Sequence, residues 1–201
     1  MKKPKIDWKK NSGLVPAIVQ DAATLQVLML GYMNAAALQQ TLRTKKVTFF
    51  SRRKQRLWVK GETSGNFLHL VDVQVDCDND TLLVTAHAAG PTCHRGTPSC
   101  FGDAGASGVG FLAQLERTIN ARIKSGDKKS YTVRLAKDGV ARVAQKVGEE
   151  GVETALAALK ADKKEFAGEA ADLLYHLIVL LRVKKMSLAD ALAVLQQRHA
   201  K

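Results

Sequence analysis

The apolar positions of this chain change period part-way along it. Through the first hundred residues they fall in short runs rich in β-branched and aromatic side chains: Leu14–Gln20, Leu25–Leu30, Val47–Ser51, Arg56–Lys60, His69–Asp76 and Thr81–His87. Runs of that length and composition predict strands. Gly31, Lys60-Gly61, Ser64-Gly65-Asn66 and Asp78-Asn79-Asp80 punctuate them as turns do. One helix is predicted over Asn34–Thr44, where Asn34 is a good N-cap and Ala35-Ala36-Ala37-Leu38 propagates well. The small residues of Gly102–Gly110 cannot anchor a core and read as a linker. Beyond them Phe111, Leu112, Leu115, Ile119 and Ile123 recur at helical spacing. Val140–Lys160, Glu165–Arg182 and Leu188–Arg198 continue the helical period, the last with Ser187 as its cap, and Tyr131–Leu135 is a short exception to it. The expected architecture is an α+β domain with a mainly antiparallel sheet at residues 1–104, a Gly-rich linker at 105–110 and an all-α bundle at 111–201. Two domains imply two activities.

Composition changes this picture in two places. No apolar run approaches the roughly 20 residues that span a bilayer. The basic start Met1-Lys2-Lys3-Pro4-Lys5 is followed by no apolar signal core, so a cytoplasmic protein is expected. Three cysteines cannot all pair, and in that compartment they read as ligands or free thiols. A formal charge of +12 points to polyanionic partners, either nucleic acid or small phosphorylated substrates, or simply to a solvated surface. The basicity is not packed into one arm: 14 Lys+Arg stand against 8 Asp+Glu through Gly105, and the remainder carries a similar excess.

The chemistry concentrates in Asp76-Cys77-Asp78-Asn79-Asp80, then Cys93-His94 and Cys100. Three thiolates suit zinc; carboxylates at alternate positions suit a hard cation such as magnesium. Three protein ligands leave zinc a fourth position for water, as in hydrolytic sites. The intervals between the cysteines contain no CxxC knuckle of the structural kind. His94 could close the zinc site instead, but adjacent residues rarely both reach one metal, which favours an acid/base or orienting role. If Cys77 lies on a strand, Asp76 and Asp78 point to the opposite face. Phosphate contacts are expected from Arg52, Arg53, Lys54, Arg56 and Lys60 and from the Gly61–Asn66 segment, Ser64 included. The same basic run beside Phe49, Phe50 and Trp58 would also suit a single-stranded nucleic-acid surface.

A second acidic cluster lies in the helical half. Glu149, Glu150 and Glu153 share a helix face with Lys146; Glu169 and Asp172 share a face of the next helix, with His176 one turn on. Like charges at this spacing repel, and the second pair is embedded in an apolar helix, so partners are required. Magnesium ions held between two helices would supply them and would suit hydrolysis of a phosphoanhydride.

These strings are also recognisable. Val15–Asp21, Val27–Asn34, Phe50-Ser51-Arg52, Leu57–Asn66, Asp76–Asp80 and Gly90-Pro91-Thr92-Cys93-His94 closely resemble phosphoribosyl-AMP cyclohydrolase. Lys146–Thr154 and Glu169–His176 are similar to phosphoribosyl-ATP pyrophosphatase, within the all-α nucleotide pyrophosphohydrolase group. Their order is that of the fused bifunctional enzyme of histidine biosynthesis. The resemblance implies that the C-terminal domain hydrolyses phosphoribosyl-ATP to phosphoribosyl-AMP and pyrophosphate with magnesium. The N-terminal domain would then open the adenine ring at N1–C6 with zinc-activated water. It implies zinc on Cys77, Cys93 and Cys100, and magnesium on Asp76, Asp78 and Asp80. It further implies a homodimer in which Cys77 of one subunit completes the zinc site of the other, with no nucleic-acid or membrane partner. Alongside it, His94 and Glu150 are the expected catalytic groups, Arg52, Arg53, Lys60, Ser64 and Lys146 the substrate contacts, and Glu149, Glu150, Glu153, Glu169 and Asp172 the C-terminal magnesium ligands.

Overall fold

The structure, a computed structural model, describes residues 4–10, 12–102, 105–160 and 162–200. Met1–Lys3 of the basic start, and Asp103 and Ala104 at the expected end of the first domain, lie outside the described residues. The chain divides into two compact units between Phe111 and Leu112.

The first unit is built on β1 (Val15–Asp21), β2 (Val27–Met33), α1 (Ala35–Thr44), β3 (Thr48–Ser51), β4 (Arg56–Val59), β5 (Leu68–Val75) and β6 (Leu82–Ala88). Four strands form one sheet in the order β2-β1-β6-β5, and β3–β4 is a separate hairpin. Every pairing is antiparallel except β1 with β6. Alternation decides which face is core: Val15, Ala17 and Val19 of β1 are fully buried, and Leu82, Val84 and Ala86 of β6 match them. Phe49, Met33 and Leu68 fill the space above. The Phe49 ring lies so close over Gly31 that no Cβ fits there. The unit therefore has the α+β architecture its residue periods predict.

Local chemistry sets the element ends. Leu25 sits in a turn at φ +60 rather than in a strand, because buried Asp21 accepts from the N–H groups of Ala23 and Thr24 and from the Thr24 hydroxyl. Asn34 caps α1, its Oδ1 accepting from Ala37 N at 2.8 Å. Asn34→Ala is expected to cost about 1 kcal/mol of unfolding free energy, measured by urea denaturation. Gln26 Nε2 donates to the Gly105 carbonyl at 3.3 Å, and Gly110 passes against the Thr24 carbonyl with no room for a Cβ.

The second unit is helical: α2 (Gly110–Ser125), α3 (Tyr131–Lys137), α4 (Val140–Ala157), α5 (Lys163–Val183) and α6 (Leu188–His199). Its core is small, joining Ile119, Leu135, Val143, Ile178 and Val179. Tyr131–Leu135 is a correction to the reading above: it is the first part of a helix. Thr132, Val133 and Leu135 are all buried there, so packing overrides the β-branched preference. Ser187 caps α6 through a reciprocal capping box with Asp190. Among the described residues, no helix is long and apolar enough to cross a membrane.

Candidate active sites

The thiol site is made by a loop stapled to β2. Ser99 Oγ donates to the Val27 carbonyl at 2.8 Å, and Cys100 N–H donates to the Leu28 carbonyl at 2.8 Å. Cys93 N–H donates to the Thr97 carbonyl at 3.0 Å, and Gly96, at φ +82, closes the turn by donating to the Cys93 carbonyl at 3.0 Å. Cys93 and Cys100 thereby face each other. The backbone N–H of Arg95 and the Thr97 hydroxyl hold the Cys93 thiol below its usual range, while burial and then the charge of Cys93 push Cys100 up. Cys93 is thus the more acidic of the pair, and a nearby cation would favour ionisation of both.

These two sulfurs border a cavity of about 530 Å³ lined also by Trp58, Lys60, Ser64, Asn66 and His94. Its size suits a nucleotide-sized ligand. His94 Nδ1 lies 3.9 Å from Cys93 Sγ. Lys60 is buried, its pKa lowered by desolvation and partly restored by Cys100 and Cys93. Among the expected phosphate contacts it is the basic side chain that lines this cavity, together with Ser64. Thr92 Oγ1 is enclosed at the same wall with no partner among the described residues. A second hollow of about 430 Å³ reaches the same two thiols past Arg95 and Thr97.

Cys77 is elsewhere. It is exposed in the turn between β5 and β6, so the strand-alternation argument for its neighbours does not apply. The turn itself gathers the carboxylates: with Asn79 at φ +65, Asp76, Asp78 and Asp80 bring one oxygen each within 4.8 Å of one another. Asp76 Oδ1 accepts from the N–H groups of Thr81 and Asp80, each at 2.9 Å, and these bonds, Thr81 foremost, lower its pKa. Lys10 Nζ reaches Asp78 at 2.6 Å and Asp80 at 3.3 Å, a contact that sequence spacing gave no way to foresee. Arg52 stacks 3.8 Å over the Tyr32 ring and shares a shallow hollow with Asp80. Arg53 is exposed, Lys54 donates its N–H to Ser51 Oγ, and Arg56 is taken up by Glu62 at 2.6 Å.

In the helical unit α4 and α5 bring Glu150, Glu169 and Asp172 together, one oxygen of each within 4.8 Å of the others. Glu150 is buried at 5 % exposure, which an unpaired carboxylate could not tolerate. Lys146 Nζ bonds Glu149 at 2.7 Å and Glu150 at 2.8 Å, and its pKa rises, chiefly through Glu149. Lys146 thus neutralises carboxylates. Glu149 turns toward Lys146, Gln145 and Arg142, and Glu153 is exposed outside the trio. Glu169 has its pKa raised by burial first, then by Glu153, Glu150 and Asp172. A divalent ion would relieve that crowding, so the donor set fits magnesium. The sequence reading missed any role for Tyr131, whose hydroxyl lies 3.1 Å from His176 Nε2.

Comparison with known proteins bears on both sites. Residues 29–102 match the model for phosphoribosyl-AMP cyclohydrolase, and residues 112–199 match that for phosphoribosyl-ATP pyrophosphohydrolase. The histidine biosynthesis bifunctional protein HisIE of Campylobacter jejuni is 56% identical over 97% of this chain and 95% of its own length. That of Escherichia coli K12 is 56% identical over 96% and 95%, and that of Xylella fastidiosa 57% over 98% and 94%. The chain belongs to the HisIE family. Its two hydrolase domains correspond to the cyclohydrolase and pyrophosphohydrolase activities of histidine biosynthesis, as the sequence resemblance implied. The Cys93–Cys100 loop lies within the first matched segment and the Glu150–Glu169–Asp172 trio within the second.

Proposed function

We propose that this HisIE-family chain performs the two hydrolyses in order, pyrophosphate release in the helical domain and then adenine ring opening in the sheet domain, in the cytoplasm. One observation carries the reading: a soft pair of thiols stands in the first matched domain, and in the second a carboxylate trio is gathered between two helices around a buried Glu150. Zinc on Cys93 and Cys100, when bound, would supply the Lewis acidity that brings the pKa of water down to about 7. Magnesium on Glu150, Glu169 and Asp172 would supply positive charge for a polyphosphate.

The protein's own groups define what happens around those ions. The cavity holds the adenine between Trp58 and the thiol loop. Lys60, buried with its ammonium toward Cys93 and Cys100, keeps negative charge concentrated there. His94 at the cavity wall takes up and returns the proton as water adds at C6 and the N1–C6 bond opens. Arg52 and the Ser64 segment hold phosphates, with Arg52 fixed by its stack on Tyr32 and close to the aspartate trio, where a second magnesium fits.

A homodimer completes the thiol set. Two ligands are one too few for the site, Cys77 is exposed away from them, and the second hollow leaves Cys93 and Cys100 reachable from outside. The partner subunit's Cys77 would enter there. Unpartnered apolar side chains on the helical unit support self-association: Leu156, Leu159, Leu192 and Leu195 are each more than half or nearly half exposed.

The test supplies phosphoribosyl-ATP with magnesium and trace zinc and follows pyrophosphate and the ring-opened imidazole together. Formation of both products in sequence supports the reading; absence of either sinks that half of it. His94→Ala is expected to lower ring opening by about 10²- to 10⁴-fold with zinc content unchanged. Full turnover in that variant would remove His94 from the proton pathway.

A further inference from the structure

Glu150 is asymmetrically partnered. Lys146 Nζ sits 2.8 Å from its Oε1, and His176 Nδ1 faces that same oxygen at 3.6 Å. No hydrogen bond from a described residue reaches Oε2. His176 is itself buried at 5 % exposure and fixed on every side. Its Nδ1 lies 2.9 Å from the Asp172 carbonyl, and its Nε2 lies 3.1 Å from Tyr131 Oη. The ring meets Tyr131 and Tyr175 edge-on, and Tyr175 is held in turn by Thr132 Oγ1 at 2.8 Å.

The partners decide the tautomer. Nδ1 faces a carbonyl and a carboxylate, neither of which can donate, so Nδ1 carries the proton. Nε2 is then free to accept from the Tyr131 hydroxyl. We infer that His176 is a positioning residue for the carboxylate site: its Nδ1–H holds the Asp172 carbonyl and packs against Oε1 of Glu150, which Lys146 bonds, leaving Oε2 to the divalent ion, and Tyr131 locks the imidazole in that orientation. The inference rests on the reading above that Glu150, Glu169 and Asp172 hold such an ion. It gives α3 a purpose beyond packing, since the Tyr131 hydroxyl ties that helix to the ligands on α4 and α5. Groups that bond to metal ligands in this way commonly change affinity by 10- to 100-fold when removed.

The experiment titrates Mn²⁺ into the full-length chain without nucleotide, reading free ion by electron paramagnetic resonance. An Asp78→Asn background silences the aspartate trio of the sheet domain. His176→Gln keeps an acceptor near Tyr131 but loses the donor at the Nδ1 position; His176→Asn keeps that donor. His176→Gln is expected to weaken Mn²⁺ binding by about tenfold or more, His176→Asn by about threefold or less, and Tyr131→Phe by an amount between them. In pyrophosphate release, His176→Gln should raise the magnesium concentration at half-maximal rate far more than it lowers the rate at saturation. His176→Gln binding Mn²⁺ as its background does would overturn the inference. So would equal losses in both His176 variants that track a lowered melting temperature, which would make the ring structural only. If the background itself shows no Mn²⁺ binding that Asp172→Asn removes, the magnesium reading of the helical domain fails first.

Discussion

Cys93→Ser is expected to lower ring opening of phosphoribosyl-AMP by about three orders of magnitude or more, with pyrophosphate release from phosphoribosyl-ATP unchanged. The size follows from what the thiol pair would hold. A bound zinc brings the pKa of water down by some eight units, and no neighbouring side chain replaces it: His94 can move a proton but cannot make hydroxide abundant at pH 7. Serine keeps the volume and the bond to the loop but has too high a pKa to be an anionic ligand. The loop survives because its fastenings are elsewhere, in Ser99 Oγ to Val27 and Cys100 N–H to Leu28. Zinc per chain, measured by atomic absorption, should fall together with ring opening. An unaltered zinc content with full activity would overturn the assignment of Cys93.

Glu150→Gln should have the reciprocal effect. Pyrophosphate release is expected to fall by more than about a hundredfold, beyond the loss typical of a residue that only supports a ligand. Ring opening of supplied phosphoribosyl-AMP should persist. Glutamine is nearly isosteric, so the loss reports charge. Loss of both activities in a folded variant would argue against separable sites. The trio also fixes a pH dependence. The pKa of Glu169 is raised, so in the ion-free protein its neutral form contributes stability at low pH that is lost as pH rises through that pKa. Magnesium requires the ionised form and reverses the trend. Its stabilisation of the helical domain, read as a shift in melting temperature, should therefore grow as pH rises, and Glu150→Gln should shrink it across the range.

Much of the molecule could be read from residue order. Alternation in β1 and β6 and the helical stripes of α2, α4 and α5 reflect which face is buried, and burial is a property the sequence pattern carries directly. Asn34 and Ser187 act as caps because a cap is a contact over two or three residues. Tyr131–Lys137 was not legible, because its buried Thr132 and Val133 suit a strand locally and only packing against the other helices favours a helix. The site divides along the same line. Residue type and spacing singled out Cys93, Cys100 and the acidic helices as candidates.

Sequence by itself determined the two-part architecture, the family and the kinds of donor in each half, because periodicity, caps and ligand chemistry are local. Tertiary structure alone decided which donors meet. Spacing made Glu149, Glu150 and Glu153 equivalent on one helix face, yet among the described residues Glu150 is the one that brings an oxygen within 4.8 Å of both Glu169 and Asp172, Glu153 acting on Glu169 by its charge, while Glu149 is drawn off by Lys146, Gln145 and Arg142. It likewise placed Lys60 beside the thiols, Lys10 on the aspartates and Tyr131 on His176, pairs separated by 33 to 70 positions in the chain. Contacts at that range exist only once the strands and helices have packed, so no local pattern could encode them.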